Sequence, residues 1–486
     1  VTFENAQEWA ALPMETRREM IRHFYETDAS GLSGRLMALI RAPKGYGVYA
    51  STGPNYQFAI FGRDSVTVAE DLLEANAALS KEILLSLARL QGTSFNSERE
   101  EEVGKIHHEY RRTRFNGEEV TDTAKHVLAM LSPNWGGTGD ELRYYGTVDA
   151  TPLFVRAVCH YCDRYGADLL DERVTTHDGH ETTMRECVRA GARWIADKVR
   201  ASQWQLLEFK RLNPRGLPYQ AWKDSDHAYL HLDGTAANAD GGIASVEVQG
   251  YAYDALIGAA TQLATSEEES QAWRTLAAAV QQQVVERLWM PGERYFAMGC
   301  DRDEQGAMRQ IATLTSNAGA LLNSRLLLDL PEDSRRQYVE PIVGRLMEHE
   351  FLTDAGIRLR SLQHADLMPF ADYHGSLVTW PCETHAVACG LQLHGYIHEA
   401  AELENRLLRA VFRAGEFYEF FLVNRDGKVK YHYRSEHPDE PQFHTFGAAN
   451  TPEPGQAWTI SAILRIVNER QPRGIHLAIQ PATIAA

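Results

Sequence analysis

The chain has 486 residues, a length that suits two or three average domains or one large helical or barrel domain. Its 49 basic against 66 acidic residues leave a formal charge of -17, which repels polyanions and argues against nucleic acid, anionic membranes and polyphosphates as partners. The six cysteines form no disulfide framework, and neither an 18-residue apolar run nor a signal-peptide opening occurs, so the expected compartment is the cytoplasm, with Val1 leaving a trimmed start open.

Residues 1–50 read as a polar, helical N-terminal extension, with a helix expected over 15–27. Helical spacing then predicts helices over 64–91 (as two), 147–164, 181–202, 246–264, 268–288, 315–327, 332–349, 379–395, 397–415 and 455–468. Strand-like alternation is scarce. Cys159 and Cys162 fall inside a helical pattern without a second pair, which reads as core packing. The 246–264 segment is apolar or small nearly all round and should be buried, whereas the run from Ser266 to Trp289 carries an N-cap serine, first-turn acids and a single apolar stripe. Inner and outer helices therefore alternate, in one domain spanning 1–486, with long loops at 92–146, 203–245, 289–314, 351–378 and 416–454. Long loops commonly carry function.

Those loops concentrate aromatic and acidic residues. FGRDS at 61–65 precedes a helix that Asp64 or Ser65 could cap, and Arg63 with Asp64 could equally hydrogen-bond sugar hydroxyls. RYYGTVDATPLF at 143–154 brings Tyr145 and Asp149 to a loop–helix junction. The stretch from Gln220 to Asp254 holds Trp222 and Asp224, Asp226, Asp233 and Asp240 before a helix opening at Glu247, with Gln249 one residue further along after Val248. Glycoside cleavage needs one carboxylic acid to protonate the leaving oxygen, one carboxylate to activate water or attack carbon, and aromatic faces for the ring. Later blocks add His374 and Trp380, Glu419, and Gln456 with Trp458. His107 with His108, and His227 with His231, lack an evident third ligand, so neither metal nor cofactor is expected.

FGRDS, GKIHHE at 104–109, YYGTVDATPLF at 144–154, WKDS at 222–225, EVQGYAYDAL at 247–256 and QAW at 456–458 occur in one order. On these blocks the chain resembles, from about 56 to 460, the bacterial amylo-alpha-1,6-glucosidases, the glucosidase part of glycogen debranching enzymes, in the glucoamylase-like group. The resemblance implies an all-α (α/α)6 toroid of six hairpins with its active site among loops at one end. It also implies an inverting exo-α-glycosidase, foremost an α-glucosidase. The family's W-x-D aspartate falls on Asp224, making it the general acid, with Asp226 the rival; its late glutamate falls on Glu419 as base, with Tyr418 where proline is usual. Arg63, Asp64, Tyr145, Asp149, Trp222, Asp226, Glu247, Gln249, His374, Trp380, Gln456 and Trp458 become candidates for substrate binding, although Glu247 could instead orient its loop and Trp380 could be core.

Two features depart from the family. Cys382–Glu383 replaces a usual His-Asp pair, and no β-sandwich precedes the toroid, which suits a short oligosaccharide or small glucosylated solute. A related phosphorylase would dispense with Glu419 and want a basic phosphate cradle; a binding-only toroid would need no pair of carboxylates with opposed protonation. The partner expected is a carbohydrate; the oligomeric state is left open.

Overall fold

The computed structural model describes residues 2–27, 31–367, 374–430 and 452–470. Tyr373, within the 373–386 block, and 431–451, within the expected 416–454 loop, lie outside the described residues.

Six helices succeed one another in contact: Gly62–Asp71, Ala150–Tyr165, Val246–Gln262, Asn317–Leu321, Pro381–Leu393 and Ala457–Arg470, the last packing back on the first. Most of these inner helices are buried almost all round. Each packs against a more exposed helix: Ala77–Arg89, Met184–Ala201, Glu267–Arg287, Glu332–Leu346 and Ile397–Ala414 follow the first five in sequence, whereas Ala457–Arg470 packs on Leu32–Ile40 from the chain start. Glu267–Arg287 shows how the outer layer arises. Ser266 caps it by accepting from the Glu269 amide, and Trp273, Leu276, Ala277, Val280 and Val284 form its single buried stripe. Cys159 and Cys162 lie in the core.

The predicted loop at 92–146 is overturned. It contains the helix Asp122–Trp135, capped by Thr121. That helix buries only Ala124, Leu128 and Ser132 and carries Pro133 in its last turn, so its apolar signal is thin and a helix breaker interrupts it. The segment predicted over 315–327 divides into Asn317–Leu321 and Arg325–Leu328. The first inner helix starts at Gly62 with Phe61 at its cap position, so neither Asp64 nor Ser65 caps it; Asp64 lies buried in the first turn.

All-α needs one qualification, since seven small sheets of two or three strands decorate the described residues. Two of them position the later site. Ile60 and Phe61 pair with Tyr110 and Glu109, fixing the entry to Arg63. Val378 and Thr379 pair with Leu422 and Phe421, holding Trp380 and Glu419 on adjacent strands' ends. No helix among the described residues is long and apolar enough to cross a membrane.

Candidate active site

The first turns of the inner helices gather at one end of the ring, where partial positive charge on unpaired amides favours carboxylates. Asp64, Glu247 and Glu383 all occupy such turns. Asp64 lines a pocket of about 380 Å³ there. Asp224 and Glu419 both line it, together with Arg63, Asp64, Trp222, His374, Trp380, Gln456 and Trp458.

Its wall is aromatic. The Trp380 ring centroid lies 5.3 Å from Trp222, 5.8 Å from Trp458 and 5.4 Å from His374, the last nearly parallel at 25°. The indole N–H groups of Trp222 and Trp458, the Gln456 amide oxygen and Arg63 Nε are buried without a partner among the described residues. Unpaired buried donors and acceptors are costly, and a polyhydroxylated ligand satisfies them.

Arg63 organises the acids. Its Nη1 donates to Asp149 Oδ1 and Oδ2 at 3.1 and 2.8 Å, and its Nη2 stands 3.6 Å from Asp224 Oδ2. Gln456 donates to Asp64 Oδ1 at 3.3 Å. Burial, opposed by Arg63, pushes the Asp64 carboxyl up to about 7. Glu419 is held well above the usual carboxylate range by burial, with Glu453, Asp64 and Asp224 adding repulsion. Burial and the cations Lys223, Arg63 and Arg360 keep His374 neutral, and its Nδ1 accepts from the Ser225 amide at 3.2 Å.

Under Asp224 lies a buried polar network. Lys223 Nζ donates to Ser316 Oγ at 2.9 Å, to Asn317 Oδ1 at 2.5 Å and to Glu383 Oε1 at 3.1 Å. Asn317 in turn donates to Glu247 Oε2 at 2.8 Å. Chain alternation explains the layout: Trp222 and Asp224 face the pocket, and Lys223 between them turns inward.

Several sequence candidates stand elsewhere. Asp226 is exposed and does not line the pocket, which separates it from Asp224. Asp149 holds Arg63. Glu247 lies fully buried in the network below, orienting its loop. Gln249 clamps Leu207 at both its amide and carbonyl and donates to the Ser245 carbonyl. The Tyr145 hydroxyl donates to the Leu90 carbonyl at 2.8 Å in the interior. Cys382 and Glu383, the departure from the family pattern, line an adjoining cavity beneath the pocket.

Three contributors were not among the sequence candidates. Tyr56 and Phe61 line the pocket. Glu453 accepts from Ser51 at 3.0 Å and Asn55 Nδ2 at 2.7 Å, while its amide and carbonyl bond Glu419 Oε2 and the Glu419 amide at 3.3 and 2.9 Å. In sequence Glu453 looks like any loop carboxylate; its clamp on Glu419 arises only in three dimensions.

The family model of the mannosylglycerate hydrolase MGH1-like glycoside hydrolase domain matches residues 167–445, more than half of the chain. Among solved structures, a GH63 mannosylglycerate hydrolase from Thermus thermophilus in complex with glucose is similar at 14% identity and TM-score 0.57, over 93% of this chain and 100% of that one. A wild-type glycosidase is similar at 14% identity and TM-score 0.53, over 94% and 97%. Identity this low speaks for the fold alone. Comparison with curated proteins yields no match.

Proposed function

We propose, for a chain that belongs to the mannosylglycerate hydrolase MGH1-like glycoside hydrolase family, that its pocket cleaves the terminal α-glycosidic bond of a short oligosaccharide or small glycosylated solute, α-glucosides foremost, with inversion. The observation that carries this reading is that Asp224 and Glu419 line one aromatic pocket. Asp224 protonates the leaving oxygen, and Glu419 takes a proton from the water attacking the opposite ring face. The partnerless indole N–H groups and Gln456 suit sugar hydroxyls. The successive helix contacts support a six-hairpin (α/α)6 ring in one domain, and the free cysteines among the described residues fit the cytoplasm. The debranching resemblance falls within the same reading at the level of α-glucoside cleavage.

Burial favours the protonated form of Glu419. The proposed base is ionised, so the proposal includes transfer of that proton to a neighbouring carboxylate when the sugar binds. The test is hydrolysis of maltose, isomaltose, trehalose, sucrose, glucosylglycerol, glucosylglycerate, mannosylglycerate and panose, with the first-formed anomer followed by proton NMR. Release of the β-anomer, lost in both Asp224→Asn and Glu419→Gln, is the expected result. An α-anomer, or near-full activity in either variant, overturns the assignment.

A further inference from the structure

Beneath the sugar pocket the inner helices border two more cavities, both open in part, and Cys389 lines both. The upper cavity shares Arg63, Trp222 and Trp458 with the sugar pocket. The lower one is bordered by the exposed residues Glu74, Leu393 and Asn468 at the opposite end of the ring, so solvent reaches it from there.

Cys389 Sγ lies 3.7 Å from His385 Nε2, one turn earlier on the same helix. That nitrogen also lies 3.1 Å from Asp71 Oδ1, which has Arg465 Nη1 at 3.6 Å, while Ser461 donates to Asp71 Oδ2 at 2.7 Å. His385 is only 5% exposed, lines the upper cavity, and has no partner for Nδ1 among the described residues. Burial opposes its protonation, yet Cys389 and Asp71 hold the imidazole well above its usual range. Cys389 thus has His385 in contact and shares both cavities with Arg465. Burial raises the thiols of the other five cysteines, Cys159, Cys162, Cys187, Cys300 and Cys382.

We propose that Cys389 is a peroxide-reactive thiol, entered from the far end of the helix ring, whose conversion to a mixed disulfide with a small thiol disables the sugar pocket from beneath. Cys389 Sγ attacks hydrogen peroxide beside the His385 and Arg465 cations, an S–O bond forms as the O–O bond breaks, and the departing hydroxide takes up the thiol proton and leaves as water. Sulfur is oxidised by two electrons and peroxide reduced by two. A small thiol then attacks the sulfenic acid, forming S–S and releasing a second water. The adduct extends into the upper cavity, which Arg63 and Trp222 also line.

Peroxide with dimedone, followed by peptide mass spectrometry on the intact protein, tests the thiol independently of any glycosidase activity. The expected result is labelling of Cys389 at least about tenfold faster than the other five cysteines, and an approximately tenfold slowing in His385→Gln and in Arg465→Gln. Equal rates across the cysteines, or labelling unaffected by both substitutions, overturns it; if either variant melts early, the ranking within the wild-type chain decides. The control arm rests on the glycosidase reading. Peroxide plus glutathione should abolish hydrolysis reversibly by dithiothreitol, while Cys389→Ala stays active and insensitive. Full activity of the glutathionylated protein overturns the control but not the thiol, and absence of hydrolysis in untreated protein counts against the glycosidase reading alone.

Discussion

Asp224 and Glu419 are assigned opposite tasks, so their amides should fail differently. A glycosyl fluoride leaves without protonation, and general acid help contributes about 10²- to 10⁴-fold. Asp224→Asn should therefore lose most of its kcat/KM on the natural glycoside and much less on α-glucosyl fluoride, whereas Glu419→Gln should lose both; the mirror-image result moves the acid to Glu419. Asp64 makes a separate prediction. Its folded value of about 7 lies above its ordinary 3.8, so the folded state holds the extra proton between those limits, and this contribution to stability falls as pH rises through that window. The melting temperature of Asp64→Asn should gain on that of the wild type from about pH 4 to about pH 7, and a constant difference would contradict the shift. Of these three acids, Asp224 and Glu419 were legible as candidates by resemblance, but the burial of Glu419 and Asp64, in one pocket with a half-buried Asp224, was not.

At the scale of elements, the pocket is assembled from helix starts and short strands. Gly62 begins the first inner helix because a Cβ there would lie 2.1 Å from the His107 carbonyl, so the backbone approach that places Arg63 requires glycine. Lys223 ties the Trp222–Asp224 segment to the fourth and fifth inner helices through Asn317 and Glu383. Lys223→Met leaves Glu383 buried without its cation, and should cost about 3–5 kcal/mol in chemical denaturation. Adding Glu383→Leu should restore part of that loss; a double variant no more stable than the single would mean the pair is not the cause. Buried helices with all-round apolar sequence were easy to read, as Val246–Gln262 shows, and a helix with a narrow stripe and a proline, Asp122–Trp135, was not.

Across the whole molecule, the N-terminal segment is part of the ring. Leu32–Ile40 packs on the last inner helix, and Trp9 Nε1 donates to both Glu416 carboxylate oxygens at 3.1 and 3.0 Å, with Arg17 at 2.7 Å from the second. Glu416 lies three residues before Glu419, so the extension braces the Glu419-bearing loop. Trp9→Ala should lower stability by about 3–5 kcal/mol and reduce activity at temperatures well below unfolding; unchanged activity there would confine Trp9 to packing. The sequence by itself determined the helical alternation and, through ordered motif blocks, the glycosidase class, because periodicity and motif order are local properties of the chain; it also offered Asp224 and Glu419 as candidates, which the structure brings to one pocket. Only the tertiary structure decided that Asp149, Gln249, Glu247 and Tyr145 turn inward, that Asp226 stays in solvent, and that Glu453 and Lys223 brace the acids. Burial and partner choice depend on which segments, up to four hundred residues apart in sequence, the ring brings side by side.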